Sequence, residues 1–153
     1  MSRYPVLGKI IDYMFFHKDE LVYLPKDRVI EIEINKSIPV PVNTVLPSQI
    51  IHELIDEAEV HWIMDFCICR ESANCQDYPT DLGCLFMGEA AGKIDSELGR
   101  LASREEAHEH IEKVAEAGLI HLIGRNKLDT IWLSVGPGDK LLTVCNCCPC
   151  CCL

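Results

Sequence analysis

Ten cysteines in 153 residues fall into two tight groups and nowhere else. Cys67, Cys69, Cys75 and Cys84 form the first, and Cys145, Cys147, Cys148, Cys150, Cys151 and Cys152 close the chain. Thiolates are soft ligands that suit zinc, Cu(I) and iron–sulfur clusters. Cysteines kept for packing would scatter through apolar positions, and cysteines kept for disulfides would be spread to close loops. Neither group alone offers a full set of well-spaced ligands, so the pattern predicts two halves of a metal or iron–sulfur site joined by folding. All ten are candidate cofactor ligands; Cys67, Cys69, Cys75, Cys84, Cys145, Cys147, Cys148 and Cys150 are the candidate metal ligands.

Two other uses of the thiols compete with ligation. An even cysteine count permits a disulfide framework, but vicinal pairs such as Cys147-Cys148 bridge only with strained geometry. The opening Met1-Ser2-Arg3-Tyr4-Pro5 leads into an apolar stretch broken by Gly8, Lys9 and Asp12, which does not read as a secretory leader. A cytoplasmic protein is expected, and there clustered cysteines bind metal or serve as redox thiols more often than they cross-link.

The spacing bears on which metal. In an extended segment, Cys67-x-Cys69 puts both side chains on one face, roughly 7 Å apart. That suits two corners of a [4Fe–4S] cube better than one zinc ion. Gly83 lets the backbone come close beside Cys84, and a helix starting near Cys84 would favour the negative charge of a thiolate-ligated cluster. The ligand run of a bacterial ferredoxin is absent, as are paired Cys-x₂-Cys knuckles at zinc-ribbon separation. Adjacent tail cysteines cannot all face one cluster, so either two clusters are bound or some thiols stay free.

Other polar residues have plainer readings. His121, between Leu119-Ile120 and Leu122-Ile123, reads as a buried core histidine before a ligand. His108 and His110 are two apart on a helix, share no face, and are expected at the surface. His61 has no defined role. Arg70 could stabilise an anionic cluster and raise its potential, or simply pair with Glu71 or Asp77. Asp65 and Asp81 read as capping and surface charge.

The elements that must position these groups follow from periodicity. Residues 4–16 have helical spacing; Leu21-Val22-Tyr23-Leu24 and Ile30, Ile32, Ile34 read as strands; Ile38-Pro39-Val40-Pro41-Val42 is extended. Residues 1–45 are read as an N-terminal helix and strands packing on a body, 46–153. In the body, Ile50, Ile51, Leu54, Ile55 and Ala58 share a helical face, and a helix is expected over about 82–91. Ser103-Arg104-Glu105-Glu106 is a capping-box pattern starting a helix that turns Ala107, Ile111, Val114 and Ala115 inward and ends at Gly118. Strands at 119–124 and 130–135, a turn at 136–139 and a run at 140–144 complete the reading. The fold class is α+β: a small antiparallel sheet with three to four helices and a C-terminal cysteine-rich tail.

Composition narrows function. With 48% hydrophobic residues the chain can bury a core without staples. A net charge of −10 disfavours a nucleic-acid partner, and no apolar run approaches the roughly 20 residues of a membrane span.

The strings Trp62-Ile63-Met64-Asp65-Phe66-Cys67-Ile68-Cys69-Arg70 and Tyr78-Pro79-Thr80-Asp81-Leu82-Gly83-Cys84-Leu85-Phe86-Met87-Gly88 resemble those of a group of ferredoxin-like iron–sulfur proteins from anaerobes. So do Gly118-Leu119-Ile120-His121 and the cysteine tail. The resemblance spans roughly residues 46–153. It implies a cysteine-rich 4Fe-4S module, often followed by an ordinary ferredoxin domain, with that domain or another redox protein as partner. The expected function is electron transfer through one or two iron–sulfur clusters, Cys67, Cys69, Cys75 and Cys84 supplying one set of thiolates and the tail the other. The alternative is a structural zinc-binding or winged-helix-like regulatory domain, with helix 104–117 and a hairpin through 119–135 as its last helix and wing. No enzymatic reaction is legible.

Overall fold

Strand alternation sorts the body's apolar residues onto the two faces of one sheet. The computed structural model describes residues 20–23 and 49–152. In chain order these form β1 (Glu20–Tyr23), α1 (Gln49–Glu57), β2 (His61–Met64), α2 (Ile68–Ser72), β3 (Leu85–Met87), a 3₁₀ turn (Glu89–Lys93), β4 (Gly99–Ala102), α3 (Arg104–Glu116), β5 (Ile120–Arg125), α4 (Lys127–Trp132) and β6 (Leu142–Cys147). The strands lie in the order β1-β5-β6-β3-β2-β4, with every pairing antiparallel. The protein is α+β, with the cysteine-rich segment at the end of β6. The expected strand at 21–24 is present as β1. The expected helix at 4–16, the strand at 30–34 and the extended segment at 38–42 lie outside the described residues.

Side chains on successive strand positions point to opposite faces. Ile63, Leu85, Met87, Ile123, Leu142 and Val144 line one face, where α1 and α3 cover them with Ile50, Ile51, Leu54, Ile55, Ala107 and Ile111. Trp62, Met64 and Phe86 line the other, against Ala90 and Ala91 of the 3₁₀ turn and Leu133, Val135 and Leu141 near α4. Trp62 meets Phe86 edge-on at 5.8 Å, a favoured aromatic geometry.

Helix α3 starts as its sequence predicts. The Ser103 hydroxyl accepts the Glu106 N–H at 3.2 Å, and a Glu106 carboxylate oxygen accepts the Ser103 N–H at 2.8 Å. Two otherwise orphaned donors of the first turn are thereby satisfied. Gly118, with φ of 75°, ends the helix in the left-handed region that glycine tolerates. Ala107, Ile111 and Val114 face inward as expected, whereas Ala115 is exposed and His110 takes an inward position instead.

Three local expectations give way to tertiary context. Residues 82–91 do not form a helix: Leu85–Met87 is a strand clamped between β2 and β6, and Gly88, at φ 99°, ends it before the 3₁₀ turn. Residues 130–135 do not form a strand. Asn126 accepts the Leu128 N–H at 2.7 Å and caps α4, so the chain turns helical over 127–132. The wing-like hairpin through 119–135 is therefore absent, because β5 pairs with β1 and β6 instead.

Ser103→Ala is expected to remove about 1 kcal/mol of stability, the typical worth of such a cap. Urea unfolding should show this as a lower midpoint at unchanged slope.

Candidate metal centre

The antiparallel register of β3 and β6 brings the two cysteine groups together. Phe86 pairs with Thr143 and Leu85 with Val144; one step further, Cys84 faces Cys145, their Sγ atoms 3.8 Å apart. Cys147, two residues along, shares the face of Cys145, while Asn146 between them points to the α1/α3 face. Cys67 arrives from the end of β2 through Phe66, its N–H donating to the Thr80 carbonyl at 2.7 Å. It is the N-cap of α2, so Cys67 and Cys69 do not lie along an extended segment as expected. The helical turn sets their thiols beside each other, with Cys67 buried and Cys69 exposed.

A second set gathers beyond α3. Asn74, at φ 49°, turns the chain after α2 and presents Cys75 to the tail. Cys75 Sγ lies 3.7 Å from Cys150, and Cys150 lies 3.6 Å from Cys148 and 3.5 Å from Cys151. All four sulfurs of Cys75, Cys148, Cys150 and Cys151 lie within 4.8 Å of one another. A tetrahedral ion with metal–sulfur bonds of about 2.3 Å holds its sulfurs about 3.8 Å apart, so this quartet has single-ion spacing. Cys148 is buried against Val114 and Leu119, whereas Cys150 is exposed. Cys152 reaches back to Cys148 at 3.6 Å. The expected split by sequence group is thus redrawn by folding: Cys75 joins the tail, and Cys84 sits beside Cys145.

Polar residues behind the thiols fix both segments. Arg70 is fully buried, and its guanidinium donates to three main-chain carbonyls: Pro79 at 2.8 Å, Leu82, and Asn146 in the tail. Among the described residues no carboxylate pairs with it. The Asn146 amide donates to the Gly83 carbonyl at 2.7 Å, and His110 donates to the same oxygen at 2.9 Å. His121 Nδ1 donates to Asn146 Oδ1 at 3.0 Å, so His121 is a core histidine, as its apolar neighbours suggest. Gly83 packs so closely that a Cβ there would fall 2.6 Å from the Phe66 carbonyl oxygen and nearer still to that of Met64.

Asn146 and His110 were not legible as site residues. Alternation along β6 places Asn146 opposite the cysteines, but its partners come from α2, α3, β5 and the loop before β3. His61 is likewise structural, its Nε2 donating to the Ile55 carbonyl at 2.7 Å. His108 stacks on His52 at 4.9 Å and bonds Asp56, far in sequence from any cysteine. Asp65 and Asp81 are exposed.

The thiols differ in readiness to ionise. The Cys69 thiol donates to Cys67, and with main-chain donors and the Arg70 charge this holds Cys67 down to about 5 despite burial. Burial pushes the Cys148 thiol up, but the thiols of Cys150 and Cys152 and two main-chain N–H groups outweigh it and bring it to about 6. Desolvation raises Cys147 to about 12 and contributes most to raising Cys150 to about 11, while thiol partners push Cys151 up. Burial also keeps His110 and His121 low and hence neutral near pH 7.

No family model, curated protein or solved structure matches this chain. Fold and site together define an α+β protein with a cysteine-thiolate site able to hold a metal. Among the described residues no helix is long and apolar enough to cross a membrane.

Metal uptake should release protons, chiefly from Cys150 and Cys151, because only thiolates ligate. Apparent affinity, measured by chelator competition, is expected to rise with pH through neutrality. Below about pH 6 the dependence should steepen, since Cys148 is then protonated too. Asn146→Ala should cost about 1–3 kcal/mol, the usual penalty for stranding buried polar partners, and should also speed metal loss to a chelator.

Proposed function

We propose that the protein is an electron-transfer protein that holds iron at the converged thiols, most simply as a [4Fe–4S] cluster. The observation that carries this reading is the meeting of both cysteine groups near a fully buried Arg70 that has no carboxylate partner among the described residues. A buried cation bonded only to neutral carbonyls is costly, and an anionic thiolate centre beside it offsets that cost. The donor set is all sulfur, which fits iron–sulfur ligation. The sheet has a packed core on each face apart from the thiols, so the centre is not needed merely to staple a small fold. The likeness to ferredoxin-like proteins of anaerobes points the same way, with a redox protein or a ferredoxin domain as partner. A bound cluster would supply a one-electron couple. This chain's part is to exclude water with Cys67, Cys147 and Cys148 buried, and to set the local field with Arg70.

A second reading, structural zinc, is favoured by one observation: the Cys75, Cys148, Cys150, Cys151 quartet has single-ion spacing. A nucleic-acid-binding regulator is not favoured, because the exposed face of α3 carries Glu105, Glu109, Glu112 and Glu116.

Protein purified without oxygen should show a broad visible absorption that bleaches with dithionite, together with a reduced-state EPR signal. A colourless, EPR-silent protein with stoichiometric zinc would refute electron transfer. Arg70→Gln is expected to make the reduction potential more negative, since a cation favours the reduced, more anionic state. Arg70→Lys should retain more of the potential than of the stability, because an ammonium keeps the charge but not the three-carbonyl fork.

A further inference from the structure

We propose that the thiols are divided between two separate but adjacent centres: an outer tetrathiolate site for one soft divalent cation, made by Cys75, Cys148, Cys150 and Cys151, and an inner polynuclear iron–sulfur site, made by Cys67, Cys69, Cys84 and Cys147. The inner assignment rests on the iron–sulfur reading above; the outer one does not.

The sheet itself makes the division. Cys84, Cys145 and Cys147 lie on the Trp62/Phe86 side of the β3–β6 ladder, by register and by the period of two. Cys148 follows Cys147 directly, leaves that face, and packs with Val114 and Leu119 at the C-terminal end of α3. Cys75, Cys151 and Cys152 pack around the same small cluster. Two neighbouring residues, with Cα atoms about 3.8 Å apart, therefore feed different sets.

Spacing assigns the nuclearity. Among the described residues, the outer quartet is the group whose sulfurs all lie within 4.8 Å of one another. Its close pairs, at 3.5–3.7 Å, match a single tetrahedral ion. Cys84 of the inner set has Cys145 beside it at 3.8 Å, but among the described residues the inner thiols make no such quartet. A set of four thiols without single-ion spacing suits a cluster, whose inorganic core separates its protein ligands. Arg70 ties the two centres together, since its α2 helix joins Cys69 to Cys75 and its guanidinium holds Asn146, just before Cys147 and Cys148. Cys152, 3.6 Å from Cys148, lies at the boundary between them.

The outer set has Cys150 at the surface and Cys75 and Cys151 half-buried, whereas the inner set has Cys69 at the surface and Cys67 and Cys147 buried. Anaerobically reconstituted wild-type protein, loaded with ferrous iron and sulfide and then zinc, is treated briefly with a chelator and a thiol-alkylating reagent, and the modified cysteines are mapped. Cys75, Cys148, Cys150 and Cys151 are expected to become modified together, with loss of about one zinc per chain and no loss of labile sulfide, while Cys67, Cys69, Cys84 and Cys147 stay protected. Modification of both sets in parallel would overturn the division. In a second arm, Cys150→Ser should lower zinc without lowering sulfide, and Cys84→Ser should do the reverse; loss of sulfide in Cys150→Ser would mean one shared centre. Wild-type protein that takes up zinc at the outer quartet but no labile sulfide would overturn the inner assignment and the electron-transfer reading together, while leaving the outer site standing.

Discussion

A buried guanidinium with no carboxylate partner among the described residues sets the terms for the body of this molecule. Arg70 sits one residue after Cys69, and each of its three guanidinium nitrogens donates to a main-chain carbonyl, those of Pro79, Leu82 and Asn146. Those three carbonyls belong to the loop that carries Cys75 and Cys84 and to the strand that carries the tail. The planar fork of arginine can reach all three at once, which the compact ammonium of lysine cannot. One side chain therefore fixes the relative position of segments about seventy residues apart in the chain. Its charge also favours the thiolate form of nearby Cys67.

Asn146 continues this lock from the other side. It spends its amide on Gly83, its carbonyl oxygen on His121 and its main-chain oxygen on Arg70, so that β6 cannot slip against β3 without stranding several buried groups. A slip of one residue would also move Cys145 and Cys147 to the helical face and Asn146 to the thiol face. Register, hydrogen bonding and ligand placement are thus one constraint. The absence of a side chain at Gly83 is part of it, because the backbone of Met64–Phe66 occupies the space a Cβ would need.

The thiols meet this frame in unequal states. Cys67 and Cys148 are each held toward the thiolate by donors around them, whereas Cys147 and Cys150 are pushed the other way. A readily ionised sulfur in each neighbourhood would give an incoming cation a first ligand before the remaining protons leave.

Sequence alone determined the chemistry and the broad architecture. Two cysteine groups and none elsewhere meant a thiol set able to hold a soft metal; strand alternation and the Ser103–Glu106 box specified the α+β class and helix α3. What it left open were the assignments that depend on contacts between distant segments. Leu85–Met87 has the composition of a helix but lies between two strands, and residues 130–135 look like a strand but an asparagine cap starts a helix over 127–132. Cys67 and Cys69 look extended, yet α2 starts between them. Arg70 could equally have been a surface residue, and Asn146 carried no local signal at all. Which sulfurs are neighbours was decided only in three dimensions, because antiparallel pairing joins Cys84 to Cys145 and a turn after α2 delivers Cys75 to the tail. Local spacing specifies what a residue can do, whereas the partners it does it with are set by pairing across the sheet.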